Sequence, residues 1–167
     1  MKTNPQQPLA FRPGEHLQMF DEVVHDPYLL TQKLNEPTVC SDCGAVYHNG
    51  HWKWGSALDG AKPAQCPACK RIHEKLPAGY VSIQGKFANE HQTEIVSMVR
   101  NFASHEESEH PLKRIMSMET EGDSLLITTT DIHLARGIGE ALQKAYKGDL
   151  DFHYNETEYL LRIRWQR

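Results

Sequence analysis

Cys40-Ser41-Asp42-Cys43 and, 22 residues further on, Cys66-Pro67-Ala68-Cys69 contain all four cysteines of the chain. Each C-x2-C pair fits a tight turn that aims both sulfurs into one space. Two such turns supply four thiolates, the donor set of a closed tetrahedral zinc site. Cys40, Cys43, Cys66 and Cys69 are therefore the expected metal ligands, and Zn²⁺ the expected ion. A thioredoxin-type redox pair needs one C-x2-C and leaves the second unexplained. Two disulfides suit a secreted chain, and no signal-peptide pattern is read here. Iron held by four cysteines stays open as an alternative. His48, His51 and His73 lie nearby in sequence, but four well-spaced cysteines leave them no necessary place as ligands.

Between the two pairs, Val46-Tyr47-His48 and His51-Trp52-Lys53-Trp54 flank Asn49-Gly50. Asn-Gly is the strongest short hairpin signal, so Tyr47, Trp52 and Trp54 are expected on or beside a hairpin. They either pack a small core or face a partner. Lys53, Lys62, Lys70, Arg71 and Lys75 surround them, and aromatics beside cations suit stacking on bases and pairing with phosphates. Residues 40–77 carry five basic and three acidic side chains, whereas the whole chain is −4 with pI near 6.2. That balance argues against nucleic-acid binding by bulk charge and confines any basic surface to this region.

Working outward, residues 1–37 read as a weakly structured arm interrupted by Pro5, Pro8, Pro13, Pro27 and Pro37. Glu15–Val24 is its candidate helix, and Asp26–Leu30 a second turn. The ribbon spans 38–77, and Pro77-Ala78-Gly79 marks the boundary. Beyond it, Tyr80–Phe87 alternates as a half-buried strand. Asn89 is the expected cap of a helix built on Ile95, Val99 and Phe102, which stops before Pro111. Strands at Leu112–Glu119 and Leu125–Thr130 follow, joined by Glu121-Gly122-Asp123. Asp131 caps a helix carrying Leu134, Ile138 and Leu142, ending at Gly148. Two alternating strands close the chain, around Leu150–Tyr154 and Tyr159–Trp165.

The fold class is therefore α+β: a four-cysteine zinc ribbon, then a ferredoxin-like βαββαβ sandwich over 78–167 with one extra strand. The aromatic motifs with which such sheets stack on RNA are absent, so the fold permits RNA binding without requiring it. Thr128-Thr129-Thr130-Asp131 opens the second helix, with Gly137 and Gly139 inside it. Close packing is the expected use of these glycines, and anion binding at the helix start the alternative. His105, Glu106, Glu107, Glu109 and His110 read as an exposed charged helix end rather than a second metal site. No residue set supports a defined reaction, so the chain is read as non-enzymatic. No apolar run is long enough to span a membrane, and paired cysteines suit a reducing cytoplasm.

Val39-Cys40-Ser41-Asp42-Cys43-Gly44-Ala45-Val46-Tyr47, Trp52, and Cys66-Pro67-Ala68-Cys69-Lys70-Arg71-Ile72 resemble a family of small, mostly uncharacterised bacterial zinc-ribbon proteins. The likeness continues through Pro77-Ala78-Gly79, Glu109–Leu112, Ile115-Met116 and Thr128–Arg136. More faintly, the ribbon resembles the zinc-binding part of the archaeal and eukaryotic adapter that binds the large ribosomal subunit for export. The resemblance implies zinc on the four cysteines and, of the adapter's role, only binding to the large subunit or its RNA. The expected contacts are Lys53, Lys70, Arg71 and Lys75 with Trp52 or Trp54. The other expectation is a protein partner, with the ribbon as scaffold of an adapter or of a stress- or redox-responsive regulator.

Overall fold

The computed structural model describes residues 9–10, 26–30 and 34–167. The arm expected over 1–37, with its helix at Glu15–Val24, lies largely outside the described residues. Those that are described include strand β1 (Leu9–Ala10) and the one-turn helix α1 (Pro27–Leu30).

The cysteine-bearing segment forms a small four-stranded sheet and a helix. Its strands are β2 (Thr38–Cys40), β3 (Val46–His48), β4 (His51–Lys53) and β5 (Lys62–Ala64), in the order β4-β3-β2-β5. Asn49 and Gly50 both take positive φ, 54° and 77°, and so close the β3–β4 hairpin as a turn of that hand demands. The Glu36 carboxylate accepts hydrogen bonds from both turn N–H groups, at 2.7 and 3.1 Å. Helix α2 (Pro67–Glu74) follows β5, with Pro67 at its first position, where a missing N–H costs nothing.

The rest of the chain builds a mixed sheet covered by helices. Its elements are β6 (Gly79–Gln84), α3 (Lys86–Glu90), α4 (Gln92–Glu109), β7 (Ile115–Glu121), β8 (Ser124–Thr129), α5 (Ile132–Tyr146), β9 (Asp149–Asn155) and β10 (Leu160–Gln166). The sheet order is β1-β9-β10-β6-β8-β7. β8 lies between β6 and β7, the split arrangement expected from a strand-helix-strand-strand start. In an uninterrupted βαββαβ sheet the strand after the second helix would pair directly with the first. Here β10 takes that place, parallel to β6, and β9 pairs antiparallel on its far side.

Alternation along the strands sends Val81, Ile83, Ile127, Leu161, Ile163 and Trp165 into one core with Ile95 and Val99 of α4 and Ile138 and Leu142 of α5. Trp165 is fully buried, and its indole N–H donates to the Lys147 carbonyl at 2.7 Å. The two helix glycines serve packing. A Cβ on Gly139 would lie 2.9 Å from Ile163 Cγ2, and one on Gly137 2.8 Å from the Phe102 ring. Their absence of side chain lets α5 press onto the sheet and onto α4.

Two boundaries differ from the periodicity. The first strand stops at Gln84, and Phe87 belongs to α3. The N–H groups of Phe87 and Ala88 donate to the Arg167 carbonyl, so the end of the chain supplies the cap that local sequence does not. Asn89 consequently sits inside α3 rather than capping α4. Strand β7 likewise begins at Ile115 rather than Leu112, because residues 110–114 form a turn held by other contacts, described next.

Candidate metal centre

Thr38, Val39 and Cys40 run alongside Lys62, Pro63 and Ala64 in parallel pairing, which sets the two C-x2-C turns side by side. The Gly44 N–H donates to the Cys40 carbonyl at 3.0 Å and tightens the first turn. The second turn opens α2, where Cys66 is the N-cap and its sulfur accepts from the Cys69 N–H at 3.4 Å. The Cys66 N–H in turn donates to the Cys40 sulfur at 3.2 Å. All four sulfurs lie within 4.8 Å of one another. Cys40, Cys66 and Cys69 are buried and Cys43 half-buried.

This donor set fits a metal ion. A tetrahedron with metal–sulfur bonds of about 2.3 Å has an edge of about 3.8 Å, and the Cys43 and Cys66 sulfurs are 3.8 Å apart. Electrostatics points the same way. Burial raises the Cys40 thiol, but N–H groups of Cys66, Cys43 and Asp42 outweigh it and bring it down to about 7. Burial pushes Cys69 up to about 11, against the pull of Arg114, and pushes Cys66 higher still, where the three neighbouring sulfurs add to it. Without a cation such burial keeps Cys66 and Cys69 protonated, and a metal ion among the sulfurs would supply the charge that lets all four ionise. The four cysteines can hold a metal ion, as their spacing predicts. His48, His51 and His73 do not join the group.

Sequence reasoning missed the residue that completes the centre. Arg114, 45 positions beyond Cys69, donates to three of the four sulfurs: Cys43 at 3.1 Å, Cys69 at 3.3 Å and Cys66 at 3.5 Å. Burial alone would lower its guanidinium, and the sulfurs more than reverse that. Its backbone and Nε are pinned as well. The Arg114 N–H donates to Thr130 Oγ1 at 2.9 Å, Arg114 Nε donates to the Pro111 carbonyl at 2.7 Å, and Thr130 Oγ1 donates to the Leu112 carbonyl at 2.6 Å. The Thr128–Asp131 stretch thus has a structural use. Thr130 fixes the loop that carries Arg114, and Asp131 caps α5 by accepting from the Leu134 N–H at 2.8 Å. Leu112 from the same loop packs against the cysteine cluster.

The expected contact residues differ in exposure and in the partners they already hold. Lys53 and Lys75 are exposed, and Lys70 is half-buried with its ammonium 4.0 Å from Glu74. Trp52 is half-buried, tilted against Tyr47 at 5.5 Å between ring centroids and packed on the cysteine cluster. Trp54 is partly exposed, but its indole N–H donates to the Glu107 carbonyl at 2.6 Å, and the Arg114 guanidinium lies 5.8 Å from its ring. Arg71 differs most from its expected role. It is 3% exposed, pairs with Asp26 at 2.8 Å, donates to the Leu76 carbonyl at 3.0 Å and stacks 4.0 Å from the Tyr28 ring. A side chain so enclosed offers no face to a partner, so Arg71 is a tie between α1 and α2. The acidic end of α4 forms no metal-binding group among the described residues. Glu106 there pairs with Lys113 at 2.7 Å, which lowers its carboxyl pKa.

The chain matches no family model, no curated protein and no solved structure. No helix among the described residues is long and apolar enough to cross a membrane.

Proposed function

We propose that this is a non-enzymatic zinc protein of the cytoplasm whose ribbon presents a surface to structured RNA, foremost the large ribosomal subunit. The observation that carries the non-catalytic part is the closed donor set. Four sulfurs lie within 4.8 Å of one another and Arg114 bridges three of them, enough donors to occupy every position of a tetrahedral ion and leave none open as a catalytic metal keeps. Zinc is favoured over iron because four thiolates from two C-x2-C turns make a ribbon, whose common occupant is structural zinc. We read the unit beyond it as a ferredoxin-like sandwich into which β10 has been inserted.

The RNA part draws its support from charge. The ribbon is the basic region of an acidic chain, and Lys53, Lys62 and Lys75 are exposed on it. Without Arg71, the contact set is Lys53, Lys70 and Lys75 with Trp52. Sedimentation of cell lysate through a sucrose gradient tests the reading. The protein should travel with the large subunit, be released by nuclease and by high salt, and lose its place when Lys53 and Lys75 are both replaced by Glu. A protein that stays at the top of the gradient contradicts it.

A second reading, a protein-binding adapter or a stress- or redox-responsive regulator, is favoured by Ile72 and Leu76. These are 41% and 53% exposed at the end of α2, where an apolar partner surface would cover them. A nuclease-resistant complex free of ribosomal components would select it.

A further inference from the structure

Between the ribbon and the loop that carries Arg114 lies a cleft of about 390 Å³. One wall is the face of the β3–β4 hairpin with Tyr47, His51 and Trp52, continued by Gln65 and by Lys70 on α2. The turn from His110 to Lys113 and Asp131 line it as well, and Tyr28, Leu29 and Leu34 add an apolar part to the lining. The volume sits near the lower end of the range for small-molecule sites, roughly 300–1,000 Å³. It suits one nucleotide and is too small for a duplex.

The lining has the two chemistries a nucleotide needs. Tyr47 and Trp52 offer rings on one side, tilted 53° to each other, and every base has a face that can stack on such a ring. Lys70 and Lys113 also line the cleft, and their ammonium groups are ion-paired, Lys70 4.0 Å from Glu74 and Lys113 2.7 Å from Glu106, so a phosphate would share them with those carboxylates. Their carboxylate partners, Glu74 and Glu106, are not among the residues lining it. Asp131 is the acidic group among the described lining residues, and its Oδ1 is committed to the Leu134 N–H at 2.8 Å. The shape also depends on the metal centre. Trp52 and Leu112 both line the cleft, and both pack on the cysteine cluster that Arg114 joins to the second unit.

We propose that this cleft binds one nucleoside 5′-phosphate, its base against Trp52 and Tyr47 and its phosphate on Lys70 and Lys113. The unit is either a free nucleotide or one residue of a single-stranded RNA. The proposal deepens the RNA reading, and the test separates the two.

The full chain, zinc-loaded, is titrated with nucleoside 5′-monophosphates, with single-stranded hexanucleotides and with inorganic phosphate, following tryptophan fluorescence and calorimetric heat. Base-containing probes should bind more tightly than phosphate. Lys70→Glu should weaken them at least about tenfold, and Lys70→Ala should flatten the log–log salt slope for the hexanucleotide by about 0.7, the loss of one phosphate contact on a single strand. Trp52→Leu should weaken binding comparably. Because Trp52 also packs on the cysteines, the surface variants at Lys70 carry the decision. Sensitivity of both mononucleotide and hexanucleotide to Lys70→Glu supports the cleft as an RNA site. Sensitivity of the mononucleotide alone, with no hexanucleotide binding, supports the cleft as a free-nucleotide site and counts against the RNA reading. Hexanucleotide binding that ignores both Lys70 variants overturns the cleft while leaving the RNA reading standing. No binding of any base-containing probe overturns the cleft outright.

Discussion

The two halves of this molecule are held together by different forces. The unit from Ala78 to Gln166 buries twenty residues in one continuous core, with Trp165, Ile83, Ile127 and Leu161 almost wholly out of water. The ribbon's cluster contains Cys40, Ala45, Cys66, Ala68 and Cys69. Three of those five are cysteines and two are alanines, so removing them from water contributes little. The larger unit can rest on apolar burial, whereas the ribbon would need a metal ion on its four cysteines to make up for so small a core. Arg114 joins the two regimes, since it is anchored by Thr130 in the first and ends on sulfurs in the second.

The sharpest break of this comparison is loss of a ligand. Cys66→Ser, or removal of the metal with a chelator, should unfold residues 38–75 and leave the larger unit folded, because a structural zinc site supplies on the order of 10 kcal/mol of apparent folding free energy. Amide exchange or proton–nitrogen correlation spectra would show collapse confined to the ribbon peaks. The converse variant is Trp165→Ala. It should cost about 3–5 kcal/mol, visible as a lowered denaturant midpoint, while the purified protein keeps one metal ion per chain.

Arg114→Ala should fall between these. It removes three contacts to sulfur without removing a ligand, so metal affinity should drop about 10- to 100-fold, measured by competition with a chromogenic chelator. Arg114→Lys restores charge but not the planar fork, and should recover only part of the affinity. The smallest effect should come from Asp131→Ala. Loss of this helix cap costs about 1 kcal/mol and should lower the thermal midpoint of the larger unit without altering metal affinity.

Legibility in the sequence followed the range of the interactions. The ligand set was readable because each pair is local and the chemistry of four thiolates is specific. The β3–β4 hairpin was readable from Asn49-Gly50 alone, and the α5 start from Asp131. The extent of the first strand was not, because the cap of α3 comes from the Arg167 carbonyl at the far end of the chain. Arg71 looked like a surface cation in a basic run, and its ion pair with Asp26, 45 positions earlier, is the distant contact that draws it inside. Arg114 gave no local signal either. Its one hint is Thr130, whose hydroxyl is committed to the loop behind it. The insertion of β10 between β6 and β9 left no trace in strand periodicity, which reports faces rather than neighbours.

The most direct test of a metal-dependent ribbon on a metal-independent sheet is hydrogen–deuterium exchange, resolved by peptide, on the protein before and after its metal is stripped. The expected result is full exchange across residues 38–75 in the stripped protein, with protection kept across β6, β8, β10 and α5. Protection that persists in the ribbon without metal, or that vanishes from both units together, would contradict the account.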